Sequence, residues 1–198
     1  MRILNFDGSD IHDLSRGEAE AHLQILPLME MFKKHVPGFE NCILSSINPS
    51  IGVRESRRIM GIRKLTAEDA LAGKVPEDSV AIYSYFIDIH SGDGAKTFTQ
   101  SVMEPYGVPY GCTVSRDIPN LMMTGRCISV DAVAFGSTRI MTLCMAVGEA
   151  AGIGAAMAVA GGNDPADIDV RKLRETLQSY GAILDVDHAL PCSSSRTH

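Results

Sequence analysis

The chain lacks several features that would have placed it at once. It has no long basic run and carries a net charge of −6, which argues against nucleic acid as a partner. It has no C-x-x-C pair. Its cysteines, Cys42, Cys112, Cys127, Cys144 and Cys192, are widely spaced and odd in number, so reduced thiols are expected, with no disulfide framework and no metal site. Cys112, Cys127 and Cys144 lie in apolar surroundings and read as small core residues. There are no internal repeats. The start, Met1 to Asp7, is too short and too acidic for a secretory signal, and a cytoplasmic protein is expected.

One long apolar run is present, Ile140 to Ala160, long enough on paper to cross a bilayer. Glu149 at its centre, and flanks without aromatic or basic anchors, argue against a membrane span. Gly148 and Gly152 form a G-x-x-x-G pair in it, a spacing that lets another backbone come close. A larger residue at Gly152 is therefore expected to overpack the fold, at a cost of about 1–3 kcal/mol or more.

With 198 residues, 45% hydrophobic and 21% charged, the chain suits one compact soluble domain with a subdomain. Residues Met1–Phe6 alternate as a strand. Ser15 ahead of Glu18 predicts a capped helix that runs to about His35, where Pro37-Gly38 stops it. A strand is expected over Asn41–Ile47, a short capped helix over Leu65–Leu71, and a strand over Val80–Ile89 that delivers Asp88 and His90 to its end. His90 reads either as an acid or base or as a residue that ties down the following turn. Tyr106–Val114 reads as a further strand, and Val170, Leu173 and Leu177 mark a last helix capped by Asp169. The tail from 185 to 198 reads as disordered.

Two clusters could carry chemistry. Arg54, Glu55, Arg57 and Arg58 form the densest charge cluster. They read as a solvated face or as a clamp for a carboxylate, a phosphate or a reduced ring. Asn120–Gly162 reads as a buried strand, Leu121–Thr124, then a small-residue loop and a tightly packed helix. The free N–H groups of such a helix start suit an anion or an electron-rich ring.

Six segments in order also carry a resemblance: GVRESRRI at Gly52–Ile59, LTAED at Leu65–Asp69, FIDIH at Phe86–His90, YGVPYGC at Tyr106–Cys112, NLMMTGRCIS at Asn120–Ser129 and GSTRIMTLCMAVGEAAG at Gly136–Gly152. Together they resemble the C-terminal half of bacterial FAD-dependent oxidoreductases, flavoproteins of the glutathione-reductase and fumarate-reductase type. The resemblance implies an α/β to α+β fold: a substrate or cap-like subdomain over 1–115, with a mixed sheet, and part of a Rossmann-like FAD-binding domain over 116–184. It implies FAD as cofactor and hydride transfer with a small-molecule substrate. It places Gly125 and Arg126 at the ribitol side of the flavin and Ser137, Thr138, Arg139 and Met141 at its pyrimidine end, with Cys127 and Ile140 also counted as cofactor-binding. Arg54, Arg57, Arg58 and His90 fall on the substrate side, with Arg54, Arg57 and His90 as catalytic candidates.

The G-x-G-x-x-G turn of such flavoproteins is missing. A shortened, split or degenerate chain is expected, inactive alone, whose exposed sheet edge a partner chain or a second copy would cover. The other expectation is a folded remnant or interaction module without FAD. Glu149 stands where the family more usually has glutamine.

Overall fold

The computed structural model describes Ile3, residues 5–90 and residues 97–186. They fall into two compact units, Met1–Arg57 with His90–Thr97 and Arg58–Ile89 with Phe98–His198. The expected N-terminal strand lies partly outside the described residues, and Asn5 and Phe6 are not in a strand.

The first unit holds two helices, α1 (Ile11–Leu23) and α2 (Ile25–His35). Asp10, not Ser15, is the N-cap: its side chain accepts the N–H groups of His12 and Asp13. Ser15 lies inside the helix and bonds the carbonyl of Ile11. The single helix expected to reach His35 is broken at Gln24. Pro27 accounts for the break, since it has no N–H and its ring would meet the carbonyl four residues back; it is tolerated only in the first turn of a new helix. Gly17 is buried, with Phe6 and Ile51 close to where a Cβ would stand. The expected strand at Asn41–Ile47 is irregular backbone, and Ile43 is exposed.

The second unit combines helices with small sheets. Thr66 caps α3 (Ala67–Leu71) by accepting the N–H of Asp69, and Gly73 follows in the left-handed region at φ +61°. The expected strand over Val80–Ile89 is two, β1 (Ser79–Tyr83) and β2 (Ile87–His90). β2 pairs with β3 (Thr97–Gln100). β1 pairs antiparallel with β4 (Tyr106–Pro109), Ala81 opposite Val108 and Tyr83 opposite Tyr106, with an irregularity between Ser79 and Ala81. The strand expected to continue to Val114 gives way at Tyr110–Cys112 to a 3-10 turn. Leu121–Thr124 is reduced to one antiparallel bridge, Met122 with Val114. Its apolar residues Leu121, Met122 and Met123 are half-buried.

After a 3-10 turn at Gly125–Cys127 comes the single buried turn α4 (Phe135–Thr138), then α5 (Met141–Gly161), which Gly162 closes at φ +64°. The buried stripe of α5 is Leu143, Val147, Ala150, Ala151, Gly154 and Ala158, the repeat of one helix face. Leu143 and Val147 belong to one buried cluster with Leu65, Val108, Ile128 and Phe135; Ala150 and Ala158 belong to a second with Val80, Tyr110, Leu173 and Leu177. Leu173 and Leu177 lie on α6 (Val170–Ser179), capped by Asp169 as the sequence predicts.

The G-x-x-x-G expectation is corrected. A Cβ at Gly148 or Gly152 would meet no atom within 4 Å, so neither glycine is a point of close approach. The tight position is Gly154, where a Cβ would stand 3.0 Å from both Cε2 and the hydroxyl of Tyr110. By length and composition α5 could cross a membrane. The opposite face from its buried stripe is open, with Met141, Met145 and Val159 each more than 70% exposed and Glu149 exposed one turn after Met145.

Candidate functional site

The start of α5 is held by bonds to residues far away in sequence. Asp131 begins the arrangement: Oδ1 accepts the N–H groups of Val133 and Ala134 at 2.9 and 2.7 Å, and Oδ2 accepts that of Ala67 at 2.7 Å. One carboxylate thus turns the chain into α4 and pins it beside α3. α4 then lies against β2, and Gly136 is required there: a Cβ would stand 3.0 Å from the carbonyl oxygen of Asp88 and 3.1 Å from its nitrogen.

Ser137 and Thr138 are buried in α4, ahead of the long helix. The Ser137 hydroxyl donates to the carbonyl of Tyr85 at 2.7 Å. Its one proton being used, it accepts from the Tyr106 hydroxyl at 2.8 Å. Tyr106 is fully buried, and loss of solvent pushes its phenol up to about 12, against a smaller opposing effect of the Ser137 bond. Arg139 turns inward, donating from Nη2 to the Asp88 carbonyl at 2.9 Å and to Asp88 Oδ2 at 3.1 Å, with 12% of its side chain exposed. Asp88, which the sequence delivers with His90 to the end of a strand, is an ion-pair partner that anchors this turn.

Ile140 is the N-cap of α5, extended at φ −75° and ψ 142°, and supplies no side-chain hydrogen bond. The N–H groups of Met141, Thr142 and Leu143 have no acceptor within the helix, as helix geometry requires, and Met141 and Thr142 are exposed. The Tyr83 hydroxyl reaches Thr142 Oγ1 at 2.9 Å. The Tyr83 ring stands edge-on to Tyr106 at 6.4 Å and stacks on Tyr85 at 6.2 Å, so an aromatic ledge borders the helix start.

The Gly125–Cys127 turn closes the other side. Gly125 has φ +63°, and Cys144 Cβ and Sγ lie 3.9 Å from where its Cβ would stand. Burial pushes the Cys144 thiol up, and the charge of Arg126 pulls it the other way. Gly125, Arg126, Cys127, Ile140 and Met141 therefore gather at one end of α5, whereas Ser137 and Arg139 are committed to atoms of the protein itself and Thr138 is buried. Arg54 and Arg57 belong to the first unit, where the charge of Arg57 acts on the Asp7 carboxyl, which Ser9 chiefly holds below its usual range. The side chain of His90 lies outside the described residues. Tyr83 and Thr142 carry no local sign of their part, since they are 59 positions apart; for Asp131 the bonds to Val133 and Ala134 are local, but the one to Ala67 spans 64 positions.

Separate from the helix start, a groove of about 320 Å³ is lined by Val80, Ile82, Ala146, Glu149, Leu177 and Leu184. Among the described residues, no group of three or more His, Cys, Asp or Glu side chains is placed to hold a metal ion.

No curated protein and no solved structure matches the chain. The family of FAD dependent oxidoreductases does match, over residues 1–177 of the 198. An open helix start beside a glycine turn is thus found in a sequence that matches a flavoprotein family over most of its length, and the chain belongs to the FAD dependent oxidoreductases.

Proposed function

We propose that this chain is the portion of a flavoprotein oxidoreductase that faces the flavin ring, and that in the complete enzyme a hydride passes between a small-molecule substrate and FAD. One observation carries the proposal: α5 begins without a side-chain cap and with its first residues open to solvent. The end of such a helix is equivalent to roughly half a positive charge, which favours an anionic ring edge by up to about 2 kcal/mol. Met141 and Thr142 would offer N–H groups there, with Gly125 and Arg126 beside them. FAD supplies the hydride chemistry when bound; the protein supplies position and electrostatics.

The fit is confined to that end. Ser137, Thr138 and Arg139 would act on the cofactor only by holding the helix start in place. Residues for the pyrophosphate belong to a Rossmann-like element that a partner chain, a second copy or a longer protein would contribute, covering the apolar residues near Leu121–Thr124. The protein would work in the cytoplasm, without a membrane.

The second reading is a folded remnant or interaction module that no longer binds FAD. The inward commitment of Ser137 and Arg139 favours it.

Titration of the purified chain with FAD, followed by quenching of flavin fluorescence, separates the two. The informative variant is Met141→Pro. Proline is favoured at the first position of a helix, and Ile140 already has the extended backbone that precedes proline. The change removes one donor and leaves the helix intact. Saturable quenching that weakens roughly 10-fold or more in this variant supports the flavin site, a charge-assisted bond being worth about 1.5–3 kcal/mol. No quenching with excess FAD supports the remnant.

A further inference from the structure

We propose that the open edge of β1 is a docking site for an extended segment of another polypeptide, one with an apolar and a basic side chain two positions apart. The inference does not depend on FAD binding. Among the described residues β1 has one strand neighbour, β4. In an antiparallel pair, opposite residues alternate between pairs that exchange both backbone hydrogen bonds and pairs that exchange none. Gly107 gives its N–H away from β1, to the carbonyl of Lys74 at 2.9 Å, so its pair with Ile82 exchanges none. The N–H and C=O of Ile82 therefore point outward from the edge, and neither meets a partner among the described residues. Such an edge is a template for a further strand.

Ile82 and its neighbours on β1 form one wall of the groove of about 320 Å³. At the start of the strand Arg174 donates to the carbonyl of Ser79, and to Asp185 at 3.1 Å. Gln178 adds a second bond to Asp185 at 2.9 Å, and Leu184 is buried. The segment 181–184 is thereby held as another wall, and α5 and α6 complete the groove with Ala146, Glu149 and Leu177. A strand residue takes up about 3.3 by 4.8 by 10 Å, roughly 160 Å³, so about two residues of extended chain fill this space. One turn of helix takes up about 400 Å³ and does not fit.

Glu149 sets the charge of the occupant. It is the one ionisable side chain lining the groove, whose other lining residues are apolar or glycine. It is exposed and has no ion-pair partner among the described residues. A carboxylate on an apolar groove suits a lysine or arginine next to an apolar side chain. Ala146 and Glu149 are three positions apart on one helix, a rise of about 4.5 Å. Alternate residues of a strand share a face about 6.6 Å apart, so an apolar side chain at one and a long basic side chain at the other reach both.

Titration of the isotope-labelled full chain with the peptide acetyl-Thr-Val-Thr-Lys-Thr-amide, followed by amide NMR, decides the matter. The expected result is saturable shifts at the amides of Ile82 and Glu149, with slowed hydrogen exchange at Ile82. Glu149→Gln, an exposed change that leaves the fold alone, weakens binding roughly 2- to 5-fold, the range of an exposed ion pair. A copy of the peptide N-methylated at every residue keeps the side chains and charge but has no N–H for the Ile82 carbonyl. It should bind roughly 10-fold more weakly or worse. No shift at Ile82 with millimolar peptide, equal binding of the methylated copy, or equal binding of a copy with glutamate for lysine overturns the proposal. So does protection of Ile82 in the free protein that rises with protein concentration, because a second copy of the chain then takes the edge.

Discussion

Alanine at Gly152 and alanine at Gly154 add the same methyl group to the same helix two residues apart, and their effects should be opposite in sign. At Gly152 the methyl meets no atom within 4 Å. There the substitution acts on the backbone alone, and replacing glycine by alanine in a helix interior gains roughly 0.5–1 kcal/mol. At Gly154 the same gain applies, but the new Cβ stands 3.0 Å from Tyr110 Cε2 and from its hydroxyl, whereas carbon atoms settle at about 3.5–4.0 Å. The ring must give by about half an ångström or more. It has little room, because Tyr110 is 3% exposed and its hydroxyl donates to the carbonyl of Pro165 at 2.9 Å. Overpacking costs about 1–3 kcal/mol, and a strained or lost buried bond about as much again. Helix propensity cancels between the two variants, so their difference isolates the contact at Tyr110, expected at about 1–3 kcal/mol or more with Gly154→Ala the less stable. Urea unfolding followed by tyrosine emission, in a chain with no tryptophan, measures it directly. Equal midpoints for the two variants would refute the packing of α5 described above.

Two further changes probe the support of the helix start. Ser137→Ala removes the partner of the buried Tyr106 hydroxyl and of the Tyr85 carbonyl; a loss of about 1–3 kcal/mol in urea unfolding is expected, and a loss below a few tenths would show that the network carries no stability. Alkaline pH tests burial: Tyr106 and Tyr110 are pushed from an ordinary 10 to about 12, and Cys112 from 9 to about 12, each chiefly by burial. Because the folded values are raised, the native state keeps protons that the unfolded chain releases. This contribution is complete below about pH 9 and is lost as pH rises from 9 towards 12. The urea midpoint should therefore fall above pH 9, with a shallower initial fall in Cys112→Ala; a midpoint flat through pH 10 contradicts the burial of the thiol.

The parts of this fold that could be read in the sequence are those whose partners are a few residues away. The Thr66 cap of α3 and the Asp169 cap of α6 are local bonds, and the apolar spacing of Leu173 and Leu177 marks a buried face without further knowledge. Where two local signals compete, the wrong one can be chosen: Asp10 and Ser15 are both capable caps, and only the position of the helix start decides. Strands are less legible still, because a β-branched or aromatic run is a strand only where another strand meets it. Asn41–Ile47 has no such partner among the described residues, and the run from Val80 to Ile89 breaks at Ser84–Phe86, where Tyr85 gives its carbonyl to Ser137.

The same division runs through the site. By itself the sequence determined a long helix rich in small residues within Asn120–Gly162 and, through the order of its motifs, the flavoprotein family. What tertiary structure decided is which groups near that helix start remain available. Ser137 and Arg139 are turned inward by Tyr85, Tyr106 and Asp88, residues 31 to 52 positions away. Met141 and Thr142 are left open at an uncapped end. A hydroxyl or guanidinium is available or committed according to what lies within about 3 Å of it, and that is set by chain segments meeting in space, which no local pattern encodes.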